Sequence, residues 1–220
     1  EIDADSFATV LEFCRGTDLD EKLKRCSTII EKEAKVILMQ ILSGLKYINT
    51  PGSEGESLSN GSKRVSIIHY DLKPANILFD EFGDAKITDF GLSKIMEDSG
   101  DGTSMELTSA GAGTYWYLPP EVFESDTGIS RISSKVDVWS VGIIFYQMLY
   151  GKRPFGDGMS QERVLQERVI LNATHVNFPS TPKVSEEAKL FIRRCLTRDP
   201  KDRPDVLGIC ADSYLWQSPK

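Results

Sequence analysis

Residues 77–88 constrain the fold more than any other stretch of the chain. Ile77-Leu78-Phe79 is a short apolar run, and Asp80-Glu81-Phe82-Gly83-Asp84 is polar and carries a glycine. Ala85-Lys86-Ile87-Thr88 then alternates small or apolar with polar residues. Two short strand-forming runs around a glycine-bearing loop read as a β-hairpin. If Phe79 pairs near Ala85, Asn76 falls opposite Thr88. Asn76 and Asp89 then become neighbours at the open end of the hairpin.

The residues flanking the hairpin give that end its chemistry. Ile67-Ile68-His69-Tyr70-Asp71-Leu72-Lys73-Pro74-Ala75-Asn76 precedes it and Asp89-Phe90-Gly91 follows it. One amide oxygen (Asn76) and one carboxylate (Asp89) suit Mg²⁺, which takes few protein ligands and fills its shell with water and phosphate oxygens. Asp71 lies five residues before Asn76, and Pro74 disfavours helix in the residues leading up to it. On such an extended loop Asp71 can meet a substrate hydroxyl while Lys73 faces a phosphate. A lone Asp-Phe-Gly or Asp-Leu-Lys is more often a turn than a site. Both in this order, joined by a hairpin, make accident a poor explanation.

Length and composition set wider bounds. A chain of 220 residues, 40% hydrophobic, is globular, with one large domain or two small ones. A net charge of −7 argues against nucleic acid as the main ligand. Cys14, Cys26, Cys195 and Cys210 have neither metal-ligand spacing nor a paired pattern, so reduced thiols in an intracellular protein are expected. No run reaches transmembrane length; the longest apolar stretch, Val138–Leu149, is broken by Ser140, Gly142 and Gln147. No signal peptide is visible. The chain opens without Met, in a polar-to-strand transition, which reads as a piece of a longer protein.

Along the chain, Ser6–Phe13 is a strand candidate, rich in strand formers. Arg15-Gly16-Thr17 turns the chain, and Asp18 is placed to cap a short helix through Lys24. Glu31–Ile48 predicts a longer helix with a broad apolar face. Residues 50–63, rich in Gly and Ser, predict a mobile surface insertion, better read as linker than as a regulatory phosphosite. Residues 93–112 are a second polar, Gly-rich stretch. Ser134–Tyr150 predicts a buried helix, and Ser160–Leu171, Ser185–Leu196 and Pro204–Ala211 three more. After the hairpin almost everything is expected to be helical. Ser185-Glu186-Glu187-Ala188 is only half a capping box, because its fourth residue is not acidic. No internal repeat is visible.

With these residues in hand, the chain resembles the C-terminal lobe of a eukaryotic protein kinase over nearly its whole length. Gly113-Thr114-Tyr115-Trp116-Tyr117-Leu118-Pro119-Pro120-Glu121 looks like the family's substrate-docking loop, and Asp137-Val138-Trp139-Ser140-Val141-Gly142 like its central helix. The implied fold class is α+β: a kinase-like C-lobe, mainly α-helical with a short catalytic hairpin, the N-lobe missing apart from a hinge strand. The implied organisation is a partial kinase domain over 1–217, with a flexible insertion at 50–63 and an activation loop at 93–112. Lys73 two residues after Asp71, with Thr114 before the docking loop, is the Ser/Thr-kinase pattern. His-Tyr-Asp-Leu-Lys-Pro, Ile-Thr-Asp-Phe-Gly-Leu-Ser-Lys-Ile-Met and Gly-Ala-Gly-Thr-Tyr-Trp-Tyr-Leu-Pro-Pro-Glu together resemble the Tousled-like kinases, with plant-type members nearest.

That resemblance implies transfer of the ATP γ-phosphoryl group to a Ser or Thr hydroxyl, with ATP and Mg²⁺ required. It implies Asp71 and Lys73 as catalytic residues and Asn76 and Asp89 as metal ligands. It implies backbone contacts of Glu12 and Cys14 to adenine, Leu11 at the gate behind it, Asp18 on the ribose and Leu78 beneath the base. His69 and Phe90 are better read as internal packing. Arg203 is expected to pair with Glu121, where losing one partner would cost about 3–5 kcal/mol. The family is nuclear, phosphorylates anti-silencing-type histone chaperones and dimerises through a coiled coil; no heptads occur in this chain, and neither direct nucleic-acid nor membrane binding is implied.

Two departures matter. Tyr70 stands where many kinases have an Arg that pairs with a phosphorylated activation loop, so phosphate at Thr108 or Ser109 lacks that partner. The 220 residues also contain no Gly-x-Gly-x-x-Gly loop, phosphate-binding strand lysine or helix glutamate in the family's places, so poor nucleotide binding and no turnover are expected of them alone. The competing readings are a catalytically silent kinase-like scaffold and, more weakly, a small-molecule kinase. The four intact residues oppose the first and the peptide-docking loop opposes the second.

Overall fold

A helix that is apolar on every side has no solvent face and must sit in the middle of its domain. Helix α3 (Lys135–Tyr150) is such a helix: every residue but Lys135 and Gln147 is buried. The structure, a computed structural model, describes residues 8–50, 65–96, 105–106, 112–124 and 131–216. The described helices before α3 are α1 (Leu19–Cys26) and α2 (Glu31–Asn49), and those after it are α4 (Gln161–Gln166), α5 (Glu186–Cys195), α6 (Val206–Cys210) and α7 (Ser213–Trp216). Six short strands, β1 (Ser66–Ile68), β2 (Ile77–Phe79), β3 (Ala85–Ile87), β4 (Lys94–Met96), β5 (Met105–Glu106) and β6 (Arg131–Ile132), and three single 3₁₀ turns, Pro74–Asn76, Tyr115–Tyr117 and Pro120–Val122, complete the described elements.

Helices α2 and α5 pack on α3 and close the main core. The apolar face of α2 supplies Ile37, Leu38, Ile41, Leu42 and Leu45, and α5 supplies Ala188, Phe191, Ile192 and Cys195. Close approach of α3 and α5 depends on Gly142: a Cβ there would lie 2.6 Å from Cys195 Cβ. The half-formed capping box at Ser185 is completed from a distance. Ser185 Oγ accepts from Ala188 N at 3.1 Å, as an N-cap should. The missing carboxylate is that of Glu31, at the start of α2, which accepts from Ser185 N at 2.9 Å and from Ser185 Oγ at 2.5 Å. Two helix starts far apart in sequence are thereby tied together.

The strands form three antiparallel pairs, β1 with β4, β2 with β3 and β5 with β6. β2–β3 is the expected hairpin, with Phe79 opposite Ala85 and Ile77 opposite Ile87. Its tip is held by Gln40 of α2, which accepts from Ala85 N at 3.0 Å and donates to Asp84 Oδ1 at 2.5 Å.

Several expectations need correction. Residues 8–13 of the expected Ser6–Phe13 strand contain no strand, and Val10, Leu11 and Phe13 are exposed. A strand exists only against a partner, and among the described residues nothing pairs with 8–13. Pairing starts later, where Gly16 N donates to Phe79 O at 2.9 Å and Phe79 N to Thr17 O at 3.1 Å. The part of the chain after the hairpin is less helical than expected, since β4, β5 and β6 lie there. Helix α4 stops at Gln166 and not at Leu171, because Arg168 turns left-handed (φ 52°) and Ile170 beyond it is buried. Phe90 meets the His69 ring (centroids 5.0 Å apart) yet is largely exposed, so it is only partly a packing residue. Most of the 50–63 insertion lies outside the described residues, as do Thr108, Ser109 and much of 93–112.

Candidate active site

The hairpin register decides what its open end can hold. Beyond Ile77–Ile87 the next pair is Asn76 and Thr88, and Thr88 N donates to Asn76 O at 3.0 Å. Asp89 follows with a left-handed backbone (φ 63°), so the chain breaks away from the strand as its carboxylate emerges. Asn76 is buried and its amide nitrogen donates to Asp71 O at 2.9 Å, which leaves the amide oxygen for a cation. Asp89 is exposed, with one oxygen 3.3 Å from Gly91 N. This donor set, one amide oxygen and one accessible carboxylate, fits Mg²⁺, which needs no all-protein cage. Among the described residues no cluster of three or more His, Cys, Asp or Glu side chains offers an alternative.

Asp71, Lys73 and Thr114 form a closed hydrogen-bonded triangle beside that end. Lys73 Nζ donates to Asp71 Oδ2 at 2.6 Å and to Thr114 Oγ1 at 3.0 Å. Thr114 Oγ1 donates to Asp71 Oδ1 at 2.7 Å. Asp71 is almost fully buried and Lys73 about a quarter exposed, so the ammonium is the open side of the set. The carboxylate is therefore held by a cation on one oxygen and a hydroxyl on the other.

A second acid holds the loop itself. Asp137, on the first turn of α3, is wholly buried and accepts from two successive backbone amides, His69 N and Tyr70 N, each at 2.9 Å. Burial pushes its carboxyl up, against the opposing pull of His69 and of the two amides. Tyr70 takes a left-handed backbone (φ 68°), a conformation an L-residue rarely adopts unaided. His69 is pinned from its other side, its Nε2 lying 2.9 Å from Thr88 O. The loop before the hairpin is thus locked to the hairpin's far end and to the central helix.

The residues expected on the nucleotide side divide into two groups. Leu78 and Asp18 are brought together, forming an antiparallel bridge alongside the hairpin. Gly16 permits this approach, since a Cβ there would sit 2.5 Å from Phe79 O. Asp18 also caps α1, accepting from Glu21 N at 2.8 Å. Leu11 and Glu12 are exposed and Cys14 half-buried on irregular chain, and Glu12 lies 3.4 Å from Lys86 Nζ.

Tyr70 is buried in the smaller core with Ile68, Leu118, Val122, Ile132 and Val136. Its hydroxyl has no hydrogen-bond partner among the described residues, and Lys94 Nζ lies 5.8 Å from its ring centroid. Burial pushes its phenol up to about 12. Arg203, also buried, forms the expected fork with Glu121, Nη1 to Oε1 at 2.7 Å and Nη2 to Oε2 at 3.0 Å.

Sequence reasoning treated Thr114 as a mark of acceptor type and Asp137 as part of a helix, and missed the contacts both make with the Asp71 loop. No local signal carries these contacts. An acid in the first turn of an otherwise apolar helix was the available hint for Asp137, because such a group must find donors when buried.

The protein kinase domain model matches residues 2–215. The chain is 58% identical over its full length to the serine/threonine-protein kinase TOUSLED of Arabidopsis thaliana, of which it covers 30%. It is 55% identical to tousled-like 2 of Homo sapiens, with 97% of this chain and 27% of that protein covered. Against tousled-like 1 of Caenorhabditis elegans the identity is 52%, with 94% and 21% covered. The chain thus spans less than a third of the length of these relatives. It belongs to the protein kinase family, and over its whole length it is similar to the Tousled-like serine/threonine kinases.

Proposed function

We propose that this chain supplies the acceptor side and the metal side of a serine/threonine protein kinase site, transferring the terminal phosphoryl group of ATP to a protein hydroxyl. The observation that carries the reading is the Asp71–Lys73–Thr114 triangle set beside a hairpin end that offers Asn76 and Asp89. Catalysis of this kind is mostly positioning and charge stabilisation, because the transition state is loose. Asp71 orients the acceptor hydroxyl and takes its proton late. Lys73 places its charge against the transferring group, and Thr114 keeps both side chains aligned. Asn76 and Asp89 would hold Mg²⁺, which when bound would neutralise charge on the phosphate oxygens. Leu78 and Asp18 would form the floor and edge for base and ribose, and Leu11, Glu12 and Cys14 would contribute contacts at the rim.

By family likeness the acceptor is an anti-silencing-type histone chaperone, the setting is nuclear chromatin assembly, and dimerisation runs through a coiled coil outside this chain. The described residues contain no helix long and apolar enough to cross a membrane.

The test is Asp71→Asn in the full-length protein, followed by phosphate transfer from labelled ATP to such a chaperone. Loss of a positioned base predicts a fall of about 10²–10⁴-fold with the fold intact. Undiminished biological function in that variant would instead favour a scaffold that only binds partners.

A further inference from the structure

Away from the hairpin, a cavity of about 290 Å³ opens between the C-terminal end of α5, the chain at 173–176 and Phe155. Its wall carries two guanidinium groups, Arg193 and Arg198, the imidazole of His175 and the hydroxyls of Thr174 and Thr197. Phe155 and Leu196 are among its apolar residues, and no carboxylate belongs to its lining. We propose that this cavity binds a phosphorylated Ser or Thr side chain of a protein partner.

The geometry supports an oxyanion there. Helix ends present carbonyls that repel anions, but the nearest ones at the end of α5 are already bonded. Arg203 Nε donates to Thr197 O at 2.8 Å, Arg203 Nη2 to Arg198 O at 3.1 Å, and Thr197 Oγ1 to Arg193 O at 3.2 Å. Arg198 is fixed in place, donating through Nη1 to Leu171 O and through Nη2 to Glu124 Oε1 at 2.6 Å. Arg193 stacks on Phe178, its guanidinium carbon 4.8 Å from the ring centroid, which aligns the fork without consuming its donors. His175 uses Nδ1 on the Thr174 hydroxyl at 3.1 Å, leaving Nε2 for a ligand. The Arg193 guanidinium, held on Phe178, and the His175 imidazole lie on one wall with apolar residues and with Arg198, itself paired to Glu124, and such donors suit a phosphate on a short carbon stem. The volume lies at the small end of ligand sites, suited to one side chain and not to a nucleotide.

The experiment uses the full-length protein and immobilised degenerate peptides with a fixed central phosphoserine, the same peptides with serine, and the same with glutamate. Retention on the phosphoserine set is expected to exceed that on the serine set by about tenfold or more, and free inorganic phosphate should compete. Arg193→Glu combined with His175→Ala should abolish the difference while thermal unfolding stays unchanged. Arg193→Ala alone should reduce it, which guards against a folding defect in the double variant. Equal retention of phosphoserine and serine peptides overturns the proposal. So does a phosphoserine preference that survives the double variant, since the anion then binds elsewhere. Equal retention of glutamate peptides overturns it in favour of an acidic-peptide site.

Discussion

Thr114 is the residue on which the candidate site closes. Its hydroxyl bridges Asp71 and Lys73, closing the contact that these two make directly. Thr114→Val removes the bridge at nearly constant volume and should lower kcat by about 10–100-fold with little change in stability, while Thr114→Ser keeps most activity. Steady-state phosphate transfer on a protein acceptor distinguishes these. Tyr70 carries a different prediction. With a buried phenol where an arginine could pair with phosphate, activity should depend only weakly on activation-loop phosphorylation at this contact. Phosphatase treatment of the wild-type and Tyr70→Arg full-length proteins checks this. Equal sensitivity in both would sink the idea.

At the scale of elements, the contact between α3 and α5 is tight enough to predict. A Cβ at Gly142 would meet Cys195 Cβ at 2.6 Å and Leu196 Cδ2 at 2.8 Å, and the first of these is fixed to the backbone of α5 and cannot swing aside. Gly142→Ala should destabilise by about 1–3 kcal/mol, as overpacking does, in spite of the better helix propensity of alanine. Urea unfolding of the pair of proteins measures it. Element type was legible wherever a residue pattern was self-sufficient: the apolar run of α3, the amphipathic face of α2, the loop glycine and register of β2–β3. The relation of Asn76 to Asp89 followed from that register alone. Illegible elements depended on distant partners. Strands β4, β5 and β6 are two or three residues long and exist only through pairing, and Ser185 finds its missing cap carboxylate on Glu31. The Thr114 contact was hidden for the same reason, since it joins loops that no local rule connects.

For the whole molecule, the buried phenols set an alkaline limit. Burial pushes Tyr70 and Tyr146 from 10.0 up to about 12, and raises Tyr117, Tyr150 and Tyr214 as well. Folded pKa values above the unfolded ones mean that the native state retains protons which the unfolded state releases. Their stabilisation is complete below pH about 10 and is lost as pH rises towards about 12. The free energy of unfolding should therefore decline across that window, with tyrosinate absorbance lagging behind that of the denatured chain. A tyrosine titration matching that of the unfolded protein would contradict the prediction.

The double grip of Asp137 on the amides of His69 and Tyr70 has a consequence for how such a domain can diverge. The shape of the loop bearing Asp71 is written in a carboxylate of another helix, through peptide groups that every residue but proline possesses. The side chain at position 70 is thereby released from holding the backbone, though it sits next to Asp71, the proposed acceptor-side acid. A substitution at that position, proline apart, would leave both amides for Asp137 to hold, and with them the course of the loop on which Asp71 sits.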